Sequence, residues 1–104
     1  MSWITIEIWM WLGKELRGDF ESPSEMRSIK REEIEEGTTV QQLFDHLAKR
    51  YSAIANNIFN IKEKRVYPHI LVNYNDRVIS PHIILDQVLK DGDKITILPM
   101  YMGG

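Results

Sequence analysis

The order of periodicities along these 104 residues predicts an α+β fold, with one main helix packed on one face of a mixed β-sheet. Three stretches carry that expectation. Trp3 to Leu12 alternates with period two, Thr39 to Ile54 repeats apolar residues at three- and four-residue steps, and Lys94 to Leu98 alternates again near the end. The order is strand, strand, helix, strand, short strand, strand. No repeat or second boundary interrupts it, so residues 1–104 read as a single domain.

In Trp3 to Leu12, Ile4, Ile6, Ile8, Met10 and Leu12 share one face, which belongs in a core. Trp3, Thr5, Glu7, Trp9 and Trp11 share the other, which should be solvated. Two tryptophans there are either covered by a local loop or form an exposed patch that marks a docking site. Gly13 to Glu25, with Gly18, Pro23 and flanking serines, reads as a loop. Its Arg17-Gly18-Asp19 tripeptide is taken as coincidental. Met26 to Glu36 has only Met26, Ile29 and Ile34 as large apolar positions, and reads as a charged edge strand against the first; a helix is the weaker alternative.

Thr39 followed by Gln42 has capping-box spacing and opens the main helix. Val40, Leu43, Phe44, Leu47, Ala48, Tyr51 and Ile54 form its core stripe, with Gln41, Asp45, Lys49 and Arg50 facing water. Ala55 to Tyr67 reads as an irregular connection with room for a short helical turn. Ile70-Leu71-Val72 is a buried strand, Asn75-Asp76 a turn, and Arg77 to Ser80 the return strand of a hairpin. Ile83 to Leu89 is a helix or tight turn. Asp91-Gly92-Asp93 is a turn in which Gly92 can take positive φ, and Lys94 to Leu98 follows as the last strand.

Composition narrows the function. One core at this length buries roughly 60–70% of the unfolded surface. A net charge of −2 supplies no cationic field, so neither nucleic acid nor a membrane is an expected partner. The lack of cysteine excludes disulfides, thiolate metal sites and a cysteine nucleophile. Met1 to Leu12 is apolar but lacks a basic leader and a cleavage site, and Glu7 interrupts it, so a cytoplasmic protein is expected. His46, His69 and His82 show no metal-ligand spacing, and no metal is expected. Glu32, Glu33, Glu35 and Glu36 read as a solvated strand edge or as an acidic surface meeting a basic partner.

The chain ends Leu98-Pro99-Met100-Tyr101-Met102-Gly103-Gly104. Glycine has no Cβ, so a Gly-Gly ending can carry a carboxylate into a slot too narrow for other residues. Residues from about 99 to 104 are expected to form a flexible tail.

Val72-Asn73 before a turn, Asp91-Gly92-Asp93 leading into Ile95-Thr96-Ile97-Leu98-Pro99, the terminal glycines, and a helix opening Thr39-Val40 with Leu43 and Leu47 together resemble the MoaD/ThiS family of ubiquitin-like sulfur carriers, including the small subunit of molybdopterin synthase. The resemblance implies a β-grasp fold with first and last strands parallel at the sheet centre. It also implies that Gly104 is adenylated and converted to a thiocarboxylate, with Gly103 as its spacer. The partners implied are an ATP-dependent MoeB/ThiF-like adenylyltransferase and a sulfur acceptor, either a MoaE-like synthase subunit or a thiazole synthase. The chain has no glycine-rich phosphate loop of its own, so ATP is handled by the partner and no cofactor is bound; a carrier, not an enzyme, is expected. Trp9, Trp11, Leu98, Met100, Tyr101 and Met102 are the candidate partner-binding residues. The rival readings are a modifier joined through Gly104 to lysines, which needs the same activated carboxylate, and a β-grasp adaptor with an incidental tail.

Overall fold

The computed structural model describes residues 1–12, 15–16 and 19–100. Gly103 and Gly104 therefore lie outside the described residues, as do Tyr101, Met102 and the Arg17-Gly18 part of the tripeptide.

The chain runs through β1 (Ser2–Ile8), β2 (Glu21–Ser24), β3 (Arg27–Ile34), α1 (Val40–Arg50), α2 (Ser52–Asn57), β4 (Phe59–Asn60), β5 (Arg65–Val66), β6 (Ile70–Tyr74), β7 (Arg77–Ile79), α3 (Pro81–Ile84) and β8 (Lys94–Pro99). Six strands form one sheet in the order β2-β3-β1-β8-β6-β7, and β4 with β5 makes a separate two-stranded ribbon. At the centre β1 and β8 run parallel, pairing Ile6 with Ile95 and Ile8 with Ile97, as the resemblance implied. Their other neighbours, β3 and β6, are antiparallel to them.

The helical layer covers one face. Ile4, Ile6, Ile8, Val72, Ile95 and Ile97 meet Val40, Leu43, Phe44, Leu47 and Ala48 of α1 in one buried cluster. Each fully buried aliphatic or aromatic side chain contributes about 1.5–3 kcal/mol over leaving it in water. The cap of α1 is as the spacing requires: Thr39 Oγ1 accepts from the Gln42 N–H at 3.2 Å, and Gln42 Oε1 accepts from the Thr39 N–H at 3.0 Å.

The Asp91-Gly92-Asp93 turn joins the starts of the two central strands. The Trp3 N–H donates to Asp91 Oδ1 at 2.7 Å, the Gly92 N–H to the Trp3 carbonyl at 2.8 Å, and the Thr5 N–H to the Asp93 carbonyl at 2.9 Å. Gly92 sits at φ +87°, a conformation that costs a side-chain-bearing residue energy. Asp93 is buried and accepts from the Tyr74 hydroxyl (2.6 Å), the Asn75 amide (3.1 Å) and the Lys90 N–H (2.8 Å). Burial and the bond to Asp93 push Tyr74 up to about 12. The β6–β7 hairpin turns on Asn75 and Asp76, both at positive φ as a two-residue turn demands.

Four expectations need correction. β1 stops at Ile8, and Met10 and Leu12 reach the core through a turn in which the Leu12 N–H donates to the Met10 carbonyl at 2.7 Å. Within the segment read as a loop, Glu21–Ser24 is the edge strand, so β3 is interior. An edge tolerates Pro23, and the register shift between Glu21 and Ser24 lets the strand pair despite its serines. The long apolar stripe is two helices: Tyr51 stands extended at φ −124°, ψ 110°, and its hydroxyl donates to Asp19 Oδ2 at 2.6 Å while Phe20 packs edge-on against its ring. The 55–67 connection holds the end of α2 and the β4–β5 ribbon, whose Phe59 packs edge-to-face on Phe44.

Replacing Thr39 by Ala leaves the Gln42 N–H at the α1 start without its side-chain acceptor. The expected loss is about 1 kcal/mol, read from the urea midpoint at unchanged m-value.

Candidate functional site at the root of the tail

The sheet face away from the helices is built from alternate residues of the same strands. From β1 it takes Trp3, Thr5 and Glu7; from β3, Arg27, Ile29, Arg31 and Glu33; from β8, Lys94, Thr96 and Leu98; from β6, Leu71 and Asn73. One row crosses the face as Asn73–Thr96–Glu7–Ile29, polar over three strands. Thr96 and Glu7 are buried in it, and Asn73 Oδ1 is buried without a hydrogen-bond partner.

Above that row the chain leaves the sheet. Leu98 lies opposite Leu71 and Pro99 opposite Ile70. The Trp9 N–H donates to the Ile97 carbonyl at 2.9 Å, and the Met100 N–H to the His69 carbonyl at 2.6 Å. The root of the tail is thus fixed on two sides by backbone bonds, from the residue after β1 and from the residue before β6. Trp9 is 37% exposed, Met100 40% and Trp11 64%. Of the candidate partner-binding residues, the structure places Trp9, Leu98 and Met100 at the same end of the sheet. Trp11 is exposed nearby in sequence, but no hydrogen bond or ring contact among the described residues ties it to the other three. Tyr101 and Met102 lie outside the described residues.

Sequence reasoning assigned Glu7 to the wet face; it is on that face, yet only 3% exposed. Two cations cover it. Arg27 Nε donates to Glu7 Oε1, and Lys94 Nζ lies 3.4 Å from Oε2. Arg27 also sets its guanidinium 5.1 Å from the ring centroid of Trp9. Neither cation was a candidate, because the pairing of β3 and β8 with β1 is needed to bring them to Glu7. Desolvation by burial pushes the Glu7 pKa up, but the Arg27 guanidinium and the Lys94 ammonium outweigh it and hold it below the ordinary value of 4.5.

The other sequence candidates lie apart. His46, His69 and His82 are exposed, and no group of three His, Asp or Glu that could hold a metal occurs among the described residues. In the acidic run, Glu32 turns inward to Lys30 and Arg50, while Glu33, Glu35 and Glu36 stay exposed. No helix among the described residues is long and apolar enough to cross a membrane.

Parallel first and last strands at the sheet centre, with a helix across one face, define a ubiquitin-like β-grasp protein. Residues 21–104 match the ThiS family, and the chain belongs to it. A solved structure of small archaeal modifier protein 1 from Haloferax volcanii is similar with TM-score 0.69 and 18% identity, covering 97% of this chain and 100% of that one. A putative molybdopterin converting factor, subunit 1, from Pyrococcus furiosus is similar with TM-score 0.67 and 18% identity over 97% and 100%. The BexX/CysO complex of Amycolatopsis orientalis contains a chain similar at 27% identity, TM-score 0.64, over 97% and 99%. Among curated protein sequences there is no significant match.

Because the folded Glu7 pKa is lowered, the stability it contributes is present above 4.5 and is lost as pH falls through the folded value. Glu7→Gln is therefore expected to be less stable than wild type at neutral pH, with the gap closing in acid. Urea unfolding of both proteins across that range measures it.

Proposed function

We propose that this protein is a sulfur carrier. The Gly104 carboxylate attacks the α-phosphorus of ATP in a partner's site and releases pyrophosphate, giving an acyl-adenylate. Hydrosulfide, or its equivalent from a sulfur donor, then displaces AMP and leaves a thiocarboxylate. A free carboxylate is a poor electrophile, and AMP is the leaving group that makes the exchange possible. The thiocarboxylate is nucleophilic sulfur on a thin lead, suited to delivery into the precursor of molybdopterin or tungstopterin, of the thiamine thiazole, or of a related product.

The observation that carries this reading is the match to the ThiS family, which runs through Gly104, on a fold that aims its last strand out of the sheet at Pro99. The chain acts as co-substrate, with ATP entering on a MoeB/ThiF-like adenylyltransferase and sulfur leaving to a MoaE-like subunit or a thiazole synthase. Trp9, Leu98 and Met100 fit the first of these roles as an apolar surface beside the reacting tail, with Trp11, Tyr101 and Met102 extending it. A second reading, conjugation through Gly104 to lysines, draws support from the likeness to a small archaeal modifier protein.

Intact-protein mass spectrometry after incubation with ATP, sulfide and the host's activating enzyme tests both. The expected gain equals exchange of one oxygen for sulfur at Gly104, and it is lost when Gly103 and Gly104 are deleted. Adducts on cellular proteins without that gain would favour conjugation. Trp9→Ala, folded normally, is expected to slow activation roughly tenfold or more, because an aromatic anchor at an interface centre is worth about 2 kcal/mol. Initial rates of pyrophosphate release at subsaturating carrier measure that loss.

A further inference from the structure

The buried charge at the middle of the helix-free face calls for an explanation that strand pairing does not supply. Removing a carboxylate from water costs energy that a threonine or valine in the same place would not. What the ion pair does instead is hold Arg27 in place. The guanidinium is anchored from below by Glu7 and spreads over the Trp9 ring at 5.1 Å. The Trp9 backbone is already held by its bond to the Ile97 carbonyl, so the ring torsions are the freedom left to it. Continuing the β1–β3 register one step past the Ile8–Ser28 pair sets position 27 opposite position 9, so the stack follows from the strand pairing itself.

We propose that Arg27, clamped by Glu7, is a positioning residue that holds the Trp9 ring as a preformed wall at the root of the tail, and that this preorganisation sets the affinity of the carrier for its activating enzyme. The part concerning the enzyme rests on the sulfur-carrier reading; the part concerning Trp9 does not. Holding the ring before the encounter removes part of the ordering cost of association, so the effect falls on binding and leaves the chemistry of adenylation unchanged.

The molecule contains its own control. Arg31 lies 5.2 Å from the Trp3 ring on the same face, but at the start of β1, away from the tail, and it makes no ion pair among the described residues. Losing that stack should not alter activation.

The test uses Arg27→Met, Arg27→Lys, Glu7→Gln and Arg31→Met, each checked for folding by circular dichroism. In a Trp3→Phe/Trp11→Phe background, fluorescence reports Trp9 alone. Arg27→Met and Glu7→Gln are expected to increase acrylamide quenching and lower the anisotropy of Trp9, with Arg27→Lys restoring part of the wild-type signal. In pyrophosphate release with all tryptophans present, Arg27→Met should raise KM for the carrier about three- to tenfold at unchanged kcat, and Arg31→Met should match wild type. Wild-type quenching in folded Arg27→Met would overturn the positioning role. Increased quenching with unchanged KM would overturn its link to docking, as would a fall in kcat alone. A wild-type carrier that no host enzyme activates would tell against the sulfur-carrier reading, while the Trp9 signals would still decide the positioning role.

Discussion

The parallel pairing of β1 with β8 is the contact on which the rest of this structure depends. It joins residues about ninety positions apart in sequence, and closing so long a loop costs conformational entropy that local contacts cannot repay. The compensation is concentrated at the same place. Ile6 and Ile8 meet Ile95 and Ile97 on the helix side, and the Asp91-Gly92-Asp93 turn binds the Trp3 and Thr5 backbone at the starting end. Because the two strands run the same way, Trp9 after β1 and Met100 after β8 leave the sheet at the same end. The position of Trp9 beside Leu98 is a consequence of strand direction.

The same pairing divides the sheet into two surfaces of different character. The helix side is apolar at its centre and fully covered, with polar members of β3 such as Lys30 and Glu32 satisfying one another at its border. Among the described residues the opposite side has no covering layer, yet it is not simply wet. A polar row with a buried carboxylate, a buried threonine and an unpartnered amide oxygen crosses it. Burying polar groups in an uncovered sheet is costly, and the charges are kept there only because Arg27 and Lys94 compensate Glu7. Trp9, Leu98 and Met100 stand at the end where β8 leaves the sheet, and Trp3 at the opposite end of β1.

Membership in the ThiS family and the placement of that end belong together. On the proposed sulfur-carrier reading, the chain would offer a recognisable surface next to a terminus that another protein draws in. Rigid strands up to Pro99, backbone bonds to His69 and Ile97, and half-exposed side chains around them make that division of labour physically reasonable.

Much of this was legible from residue order. The α+β class, the Thr39–Gln42 cap, the α1 core stripe, the Asn75-Asp76 hairpin and the Gly92 turn each rest on local periodicity or on a residue's own torsional preferences, which a sequence displays directly. The family was legible because turn, strand, proline and glycines recur at set distances. What local rules missed depended on distant partners. Glu21–Ser24 looked like a loop because serines and a proline favour turns; an edge position, which only the assembled sheet creates, makes them acceptable in a strand. Tyr51, where the apolar stripe breaks, bonds Asp19 and packs against Phe20 from another segment. Glu7 looked solvated because alternation places it on the outer face. Only the register of β3 and β8 brings Arg27 and Lys94 over it, and only then does Arg27 reach Trp9. The sequence by itself determined the α+β class, the α1 cap, the β6–β7 hairpin and the Gly92 turn, since those follow from local torsions and residue types. The tertiary structure decided which side chains stand beside the end of β8, because strand register is a property of pairs.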